Sequence, residues 1–344
     1  MSDIKNEIKI LPMELPPIDL YPYSANKLSV LLSHKETHPW FFSNFIQTWI
    51  SKDRPSSFRS YWSDFLFFSG YKFCPFYKTS TISRKLVQHK WNSIIDFIID
   101  AIDLNYYAYL NINAGFIPEY ESKEEKHWRH DIFVFGYDKK NETLKIADFF
   151  KGYKYYYSEV SFKAFQQAYD NFNLTNETDF FNGISLESFE NTDYEFDINF
   201  ISNSIKDYLD GCNTTITTDL SELENKDDAA YGIEVYDVLG KHLQDISMGK
   251  SNFLDIRPFH MIYNHKTVMI QRLKYLEKLN YIKNADKFIK DYIDLESQSL
   301  NLRHDILKVI ITRSDKVLDR ARTKLEPISI REKQVLSDIL YSIK

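Results

Sequence analysis

The segment from His130 to Phe150 constrains the fold more than any other part of the sequence. It reads "HDIFVFGYD", "KKNE" and "TLKIADFF", so two runs rich in aromatic and β-branched residues flank a short polar stretch. Such runs favour strands, and a short polar connection between them favours a tight reversal. The sequence therefore predicts an antiparallel hairpin whose turn is centred near Lys139 or Lys140.

His130 opens the first of these strands and Asp148 closes the second. We expect the two side chains to face each other, because cross-strand Cβ atoms lie about 5 Å apart and diagonal neighbours about 7 Å apart. A carboxylate at that distance fixes the tautomer of an imidazole and stabilises its charged form, as a general base and its orienting acid require. The alternative is a structural hydrogen bond at the end of a strand.

The rest of the chain divides into two regions. Apolar spacing predicts a buried helix over residues 39 to 51 and a second helix over residues 91 to 102, followed by a strand at "YYAYLNI". From residue 199 onward helical spacing dominates, with Pro327 expected to interrupt the last helix. The predicted class is α+β, with an antiparallel-sheet domain over residues 1–198 and a mainly α-helical domain over residues 199–344.

Charge and cysteine content exclude several functional classes. The net charge of -6 argues against a nucleic-acid partner, because phosphate binding depends on clustered Lys and Arg. The two cysteines, Cys74 and Cys212, are too far apart in sequence for a Cys-x-x-Cys zinc site and are typical of a reducing compartment. No signal segment or run of about 18 apolar residues occurs, so we expect a cytoplasmic protein with no membrane partner and no cofactor.

Two histidine-rich stretches have other readings. In "HWRH", His127 and His130 stand near two glutamates, but residues at the start of a strand point in different directions, so no metal site is predicted. In "RPFHMIYNHK", the basic residues decorate one helix, and we expect a solvated or inter-domain face there.

The order of these segments resembles a known family. A buried helix, an aromatic stretch, a second helix and a strand ending in "NAGFIPEY" precede "HDIFVFGYD" and "IADFF". This order resembles the N-terminal domain of the butirosin-biosynthesis-protein-H-like family over residues 30 to 155, and the hairpin is similar to that of the papain-like double-glycine peptidases. The later segments "YGIEVYDVL" and "RPFHMIYNHK" resemble the uncharacterised helical domain that often follows.

The resemblance implies thiol-dependent acyl transfer on a papain-like fold. Members of the family move an acyl group from a carrier-protein thioester to an amine, which would make His130 the general base and Asp148 its orienting carboxylate. The family's nucleophilic cysteine begins the first buried helix, where a helix N-terminus favours the thiolate. In this sequence that position falls near Trp40 or Phe41, so the expected cysteine is missing.

Three explanations of the missing cysteine remain open at this point. Ser43, one turn into the predicted helix, would act as a hydroxyl nucleophile. Cys74 would act as a relocated thiol, although a lone cysteine among aromatic residues is usually a small buried hydrophobe. In the third explanation the domain has lost the covalent step and only binds its ligand.

These alternatives give two hypotheses about function. The first is an accessory acyltransferase, or a cyclising and releasing enzyme, of bacterial peptide or polyketide natural-product biosynthesis, such as a nonribosomal peptide pathway. The second is a catalytically silent binding or scaffold protein of such a pathway. The expected partners are an acyl or peptidyl carrier protein and a small-molecule or peptide acceptor, with a homodimer left open. Because carrier proteins are acidic, Arg257, Lys266 and Arg272 are candidates for a basic docking patch.

Overall fold

The structure, a computed structural model, describes residues 7–52, 63–66, 74–120, 128–173, 182–213 and 229–343. The strands in these residues are Ile8–Ile10 (β1), Gln47–Ser51 (β2), Ser63–Leu66 (β3), Tyr77–Ser83 (β4), Tyr107–Asn113 (β5), Arg129–Asp138 (β6), Thr143–Phe149 (β7), Tyr155–Ser161 (β8), Gly183–Phe189 (β9) and Ala229–Tyr231 (β10). The helices are Pro22–Leu32 (α1), His38–Ser43 (α2), Arg84–Lys90 (α3), Ile94–Asp103 (α4), Phe162–Asp170 (α5), Ile198–Leu209 (α6), Val235–Ser247 (α7), Arg257–Lys278 (α8), Asp286–Thr312 (α9) and Asp315–Ser342 (α10).

The chain divides into two compact units. The sheet unit consists of Met1–Thr37 and Cys74–Asp193, and the helical unit consists of His38–Phe73 and Tyr194–Lys344. The α+β class is confirmed, since antiparallel sheets in an N-terminal region are followed by a mainly helical C-terminal region. The division falls between residues 193 and 194, close to the expected boundary, but residues 38–73 join the helical unit instead of the first domain.

The sheet unit is built on one seven-stranded antiparallel sheet. Its strand order is β4-β9-β5-β6-β7-β8, and β1 pairs with the end of β6. β6 and β7 form the predicted hairpin, with a bulge between Val134 and Gly136. Gly136 is needed where β1 approaches, because a Cβ atom there would lie 2.8 Å from the carbonyl oxygen of Lys9.

Helices cover both faces of this sheet. α4 confirms the second predicted helix; it begins after Ser93, whose hydroxyl accepts a hydrogen bond from the amide of Asp96 and caps the helix. α4 packs on β5 and β6, and α5 packs on β5 and β8. Ile132 and Ile146 of the hairpin are completely buried. The hairpin is thus held in a well-packed core, which fixes the side chains at its open end.

The helical unit contains a small sheet that the sequence did not predict. The expected helix over residues 39 to 51 is wrong beyond Ser43, because α2 ends there and Phe45 takes a left-handed backbone conformation with φ of 55°. The chain then forms β2, in which Trp49 pairs with Asp64 of β3 and with Tyr231 of β10. Aromatic and β-branched residues favour strands as well as buried helices, so the apolar pattern alone did not decide between them.

The long helices α8, α9 and α10 pack on one another and complete the helical unit. α10 runs through Pro327, so the expectation that this proline interrupts the last helix is wrong. A proline removes one backbone hydrogen bond from a helix interior but does not stop a helix whose two halves are both packed. Leu325 and Ile328 on either side of it are buried. Within the described ranges, no helix has the length and apolar content needed to cross a bilayer.

Candidate active site

The structure brings His130 and Asp148 together as expected. The ladder between the hairpin strands ends with Phe133 opposite Ala147, and continuing this register makes Asp148 the diagonal neighbour of His130. Nε2 of His130 lies 2.7 Å from Oδ2 of Asp148. The hairpin therefore places an imidazole and a carboxylate in direct hydrogen-bond contact at its open end.

Aromatic rings enclose this pair. Tyr120 meets the His130 ring edge-on at 5.2 Å between centroids, and Trp128 lies nearly parallel to it at 5.4 Å. The Tyr120 hydroxyl donates a hydrogen bond to Oδ2 of Asp148, the same oxygen that contacts the imidazole. The Asp148 side chain is 0% exposed, while that of His130 is 24% exposed. The imidazole is therefore the part of the pair that a ligand can reach.

The hydrogen bonds of Asp148 determine which imidazole nitrogen is basic. Because a carboxylate only accepts, the His130 Nε2–H donates to it and Nδ1 keeps its lone pair. Nδ1 lies 3.8 Å from Asp131 Oδ1, beyond hydrogen-bond distance. The second carboxylate oxygen of Asp148, Oδ1, accepts no hydrogen bond from the residues that the structure describes. Within the described residues, the pair therefore presents one basic nitrogen, Nδ1, without a hydrogen-bond partner.

The environment raises the pKa of His130. Burial acts in the opposite direction and is the largest single influence, but the hydrogen bond and charge of Asp148, with a contribution from Asp131, outweigh it. Burial and the charge of Asp148 also raise the pKa of Tyr120 well above its usual range, so its hydroxyl stays a donor. The arrangement stabilises a protonated imidazole, which is what a general base becomes when it accepts a proton.

Cys74 is not brought to His130. Through β9, Thr79 of β4 is level with Tyr107 of β5, whereas His130 pairs with Ile112 at the other end of β5. Thr79 and His130 are therefore five residues apart along the strand direction and three strands apart across the sheet, which corresponds to a distance of about 20 Å. Cys74 precedes Thr79 and lies still farther from His130. Burial raises the pKa of the Cys74 thiol to about 12. Its surroundings therefore favour the unreactive thiol that a buried structural cysteine carries.

Ser43 belongs to the helical unit. Its hydroxyl donates a hydrogen bond of 2.8 Å to the carbonyl oxygen of Pro39, one turn earlier in α2, and the residue is 1% exposed. Such a bond within a helix satisfies a buried hydroxyl. The hydroxyl is thus already engaged by the helix backbone.

The first helix of the sheet unit is α1, which the sequence reading missed. It begins at Pro22, and the signal that could have identified it is a proline at a first helical position, followed by apolar residues at helical spacing. Its start carries Tyr21, Pro22, Tyr23 and Ser24, so it also lacks a cysteine. The Ser24 hydroxyl donates to the Tyr21 carbonyl oxygen at 3.0 Å.

α1 packs on the sheet face opposite to Asp148. The Tyr155 hydroxyl donates to Oδ1 of Asn26 at 2.8 Å and lies 3.2 Å from the Ser29 hydroxyl, so α1 covers the face that carries Tyr155. Tyr155 pairs with Phe149, and neighbouring residues of a strand point to opposite faces. The side chain of Asp148 therefore points away from α1.

His265 and Lys266 of α8 are buried inside the helical unit, against the expectation of a solvated or inter-domain face. Lys266 is 0% exposed, and its Nζ lies 2.5 Å from Oε1 of Glu332, a carboxylate that also accepts a hydrogen bond from the Tyr236 hydroxyl at 2.7 Å. Burial, with the charge of Lys266, lowers the pKa of His265 to about 4. These groups form a closed ion-pair network inside the helical unit.

The predicted docking patch is also wrong. Arg272 is completely buried and donates hydrogen bonds to the carbonyl oxygens of Phe42 and Asn44, at 2.9 and 2.5 Å. It thereby supports the end of α2, where carbonyl groups lack partners within the helix. Of the three proposed residues only Arg257 has an accessible side chain, and it pairs with Asp255 at 2.9 Å. Burial of Lys266 and Arg272 leaves no such patch.

The structure covers only part of the "HWRH" stretch, for which no metal site is predicted. His127 and the two glutamates before it lie outside the described residues. Among the residues that are described, no group of three or more His, Cys, Asp or Glu side chains is arranged to hold a metal ion.

No protein-family model matches the sequence, and no curated protein matches it. The papain-like topology and the family resemblance therefore stay predictions. The proposal on function therefore rests on the geometry of the hairpin alone.

Proposed function

We propose that the protein transfers an acyl group from a carrier-protein thioester to an amine, with His130 as general base and Asp148 as its orienting carboxylate. The single observation that supports this is the 2.7 Å contact of Nε2 with the buried carboxylate, which leaves Nδ1 as a free basic nitrogen on a partly exposed ring. A base oriented by a buried carboxylate is the arrangement that acyl-transfer enzymes use.

We further propose that the transfer is direct, without an acyl-enzyme intermediate. The placement of Cys74 at the other end of the sheet and the engaged hydroxyl of Ser43 support this. The amine nitrogen attacks the thioester carbonyl carbon, and a C–N bond forms. His130 Nδ1 accepts the proton that the nitrogen loses, the C–S bond breaks, and the proton passes to the departing thiolate. The imidazole is then neutral again.

The experiment uses an acyl-pantetheine thioester as donor and a panel of primary amines as acceptors. We expect thiol release that depends on the amine and falls by about 10²- to 10⁴-fold in His130→Ala, the usual contribution of a general base. Cys74→Ala and Ser43→Ala serve as matched controls and should keep the wild-type rate. Intact-mass analysis during turnover should show no acyl adduct on the protein.

Three outcomes would overturn the proposal. An acyl adduct that disappears in Cys74→Ala would establish a covalent route through that thiol. Equal rates in wild type and His130→Ala would remove the imidazole from the reaction. Absence of amine-dependent thiol release with every donor and acceptor would count against acyl transfer altogether.

A silent binding or scaffold protein is the second candidate. It is favoured by the lack of a cysteine both near Trp40 or Phe41, where the resemblance implies one, and at the start of α1, where Tyr21 to Ser24 stand. In that case, an acylated carrier protein should bind the full-length chain, and His130→Ala should leave both its affinity and the lifetime of the thioester unchanged. A thioester that is lost faster in the presence of wild type than of His130→Ala would exclude this candidate.

A further inference from the structure

Arg84 is a buried arginine in the sheet unit, and it contacts β5 near the end of the sheet that carries His130. Arg84 begins α3, is 2% exposed, and its Nη2 donates to the carbonyl oxygen of Asn111 at 2.6 Å. That carbonyl lies just past the last pair between β5 and β9, Leu110 with Ile184, so the arginine takes the place of a missing strand partner. Asn111 is next to the residue that pairs with His130.

Two aromatic rings hold the guanidinium. Its central carbon lies 4.2 Å from the ring centroid of Tyr169 and 4.7 Å from that of Phe172. Stacking of this kind favours a cation above each ring face. It does not satisfy the N–H groups, which point outward in the plane of the guanidinium.

Three polar atoms at this place are buried and unsatisfied. Nε and Nη1 of Arg84 and the hydroxyl of Tyr169 have no partner with good hydrogen-bond geometry among the residues that the structure describes, although the hydroxyl and the guanidinium are close enough to shift each other's pKa. No carboxylate of the described residues forms an ion pair with Arg84 either. Burial lowers the pKa of Arg84, and the nearby Tyr169 only partly opposes this. A buried cation with orphaned donors costs free energy, which an acceptor of opposite charge offsets.

We propose that Arg84 and Tyr169 form a binding site for an oxyanion, the carboxylate or phosphate group of a small molecule. Oxygen atoms of that group accept from Nε and Nη1 of the arginine and from the tyrosine hydroxyl, and its charge neutralises the guanidinium. A water molecule would supply acceptors but leave the charge unpaired. The site does not depend on the acyl-transfer proposal.

Phe172 lies between the buried guanidinium of Arg84 and the protein surface. The guanidinium of Arg129, an exposed residue, also lies over the Phe172 ring, at 5.3 Å. Phe172 is 7% exposed, so its ring contacts both solvent and the buried arginine. In this proposal, rotation of the Phe172 side chain gives an anion access to Arg84.

The test is calorimetric titration of the full-length protein with sodium phosphate and, separately, with sodium acetate at fixed ionic strength. We expect one saturable site per chain for at least one of the two anions. Arg84→Met should weaken binding about tenfold or more, because it removes the charge and both donors. Lys90→Met, which removes one exposed positive charge from the same helix, should bind as wild type does.

The pattern of the two titrations identifies the source of the oxyanion. Phosphate binding alone indicates a phosphorylated ligand, and acetate binding alone indicates a carboxylic acid. The proposal is overturned if wild type binds neither anion, or if Arg84→Met binds as tightly as wild type. If circular dichroism shows that Arg84→Met does not fold, Tyr169→Phe replaces it, and equal affinity of that variant and wild type overturns the proposal.

Discussion

Replacement of Asp148 by Asn tests the electrostatics of the candidate site, because it removes the buried charge and keeps the shape of the side chain. Asp148 is 0% exposed, so solvent does not screen its interaction with His130. A hydrogen bond to a charged group contributes about 1.5–3 kcal/mol to stability. We expect a loss of unfolding free energy of that order.

The loss should depend on pH in a defined direction. The pKa of folded His130 is raised above its ordinary value of 6.5, so the stability it contributes is complete below pH 6.5 and is lost as the pH rises through the raised pKa. Asp148→Asn should therefore be destabilised more at pH 5.5 than at pH 8.5. In the variant the pKa of His130 should fall below 6.5, since burial remains as the dominant influence.

Urea unfolding at the two pH values and a histidine NMR titration measure these effects. Asp193→Asn is the matched control, because Asp193 is an exposed residue of the same unit, and it should change neither result. Equal destabilisation at both pH values, together with an unchanged pKa of His130, would refute the electrostatic reasoning.

Three further predictions concern other parts of the chain. Tyr120→Phe removes a donor from the shared carboxylate oxygen, so the NMR titration should show a higher pKa of His130, and a lower value would contradict the assigned hydrogen bonds. Glu332→Gln leaves a buried ammonium without its partner and should cost about 3–5 kcal/mol in urea unfolding; a loss near zero would refute the ion-pair network. Iodoacetamide should modify Cys212, which is exposed, and spare the buried Cys74; two adducts on the native protein by intact mass would contradict this.

The hairpin could be predicted because its local signals agree. Residue type and a short polar connection both favour two strands, and their register alone brings His130 within reach of Asp148. The packing of Tyr120 against the His130 ring could not be predicted. Tyr120 lies in a loop ten residues before His130, and only the folded structure brings the two side chains together.

The errors have a common physical origin. Trp49 and Ile50 suit either a buried helix or a strand, and only pairing with β3 and β10, which are remote in sequence, decides for the strand. Lys266 and Arg272 seemed to belong on a surface because charged residues are rarely buried without partners. Their partners, Glu332 and two main-chain carbonyl groups, come from segments more than sixty residues away, which periodicity does not reveal.

We propose that the imidazole of His130 acts as the base in a direct acyl transfer. The most direct test is the pH dependence of kcat/KM for thiol release from the acyl-pantetheine thioester in the presence of an amine, compared between wild type and Asp148→Asn. We expect a rate that rises with pH and levels off above a pKa higher than 6.5, and a lower pKa in the variant. Profiles of the same midpoint in both proteins would contradict it.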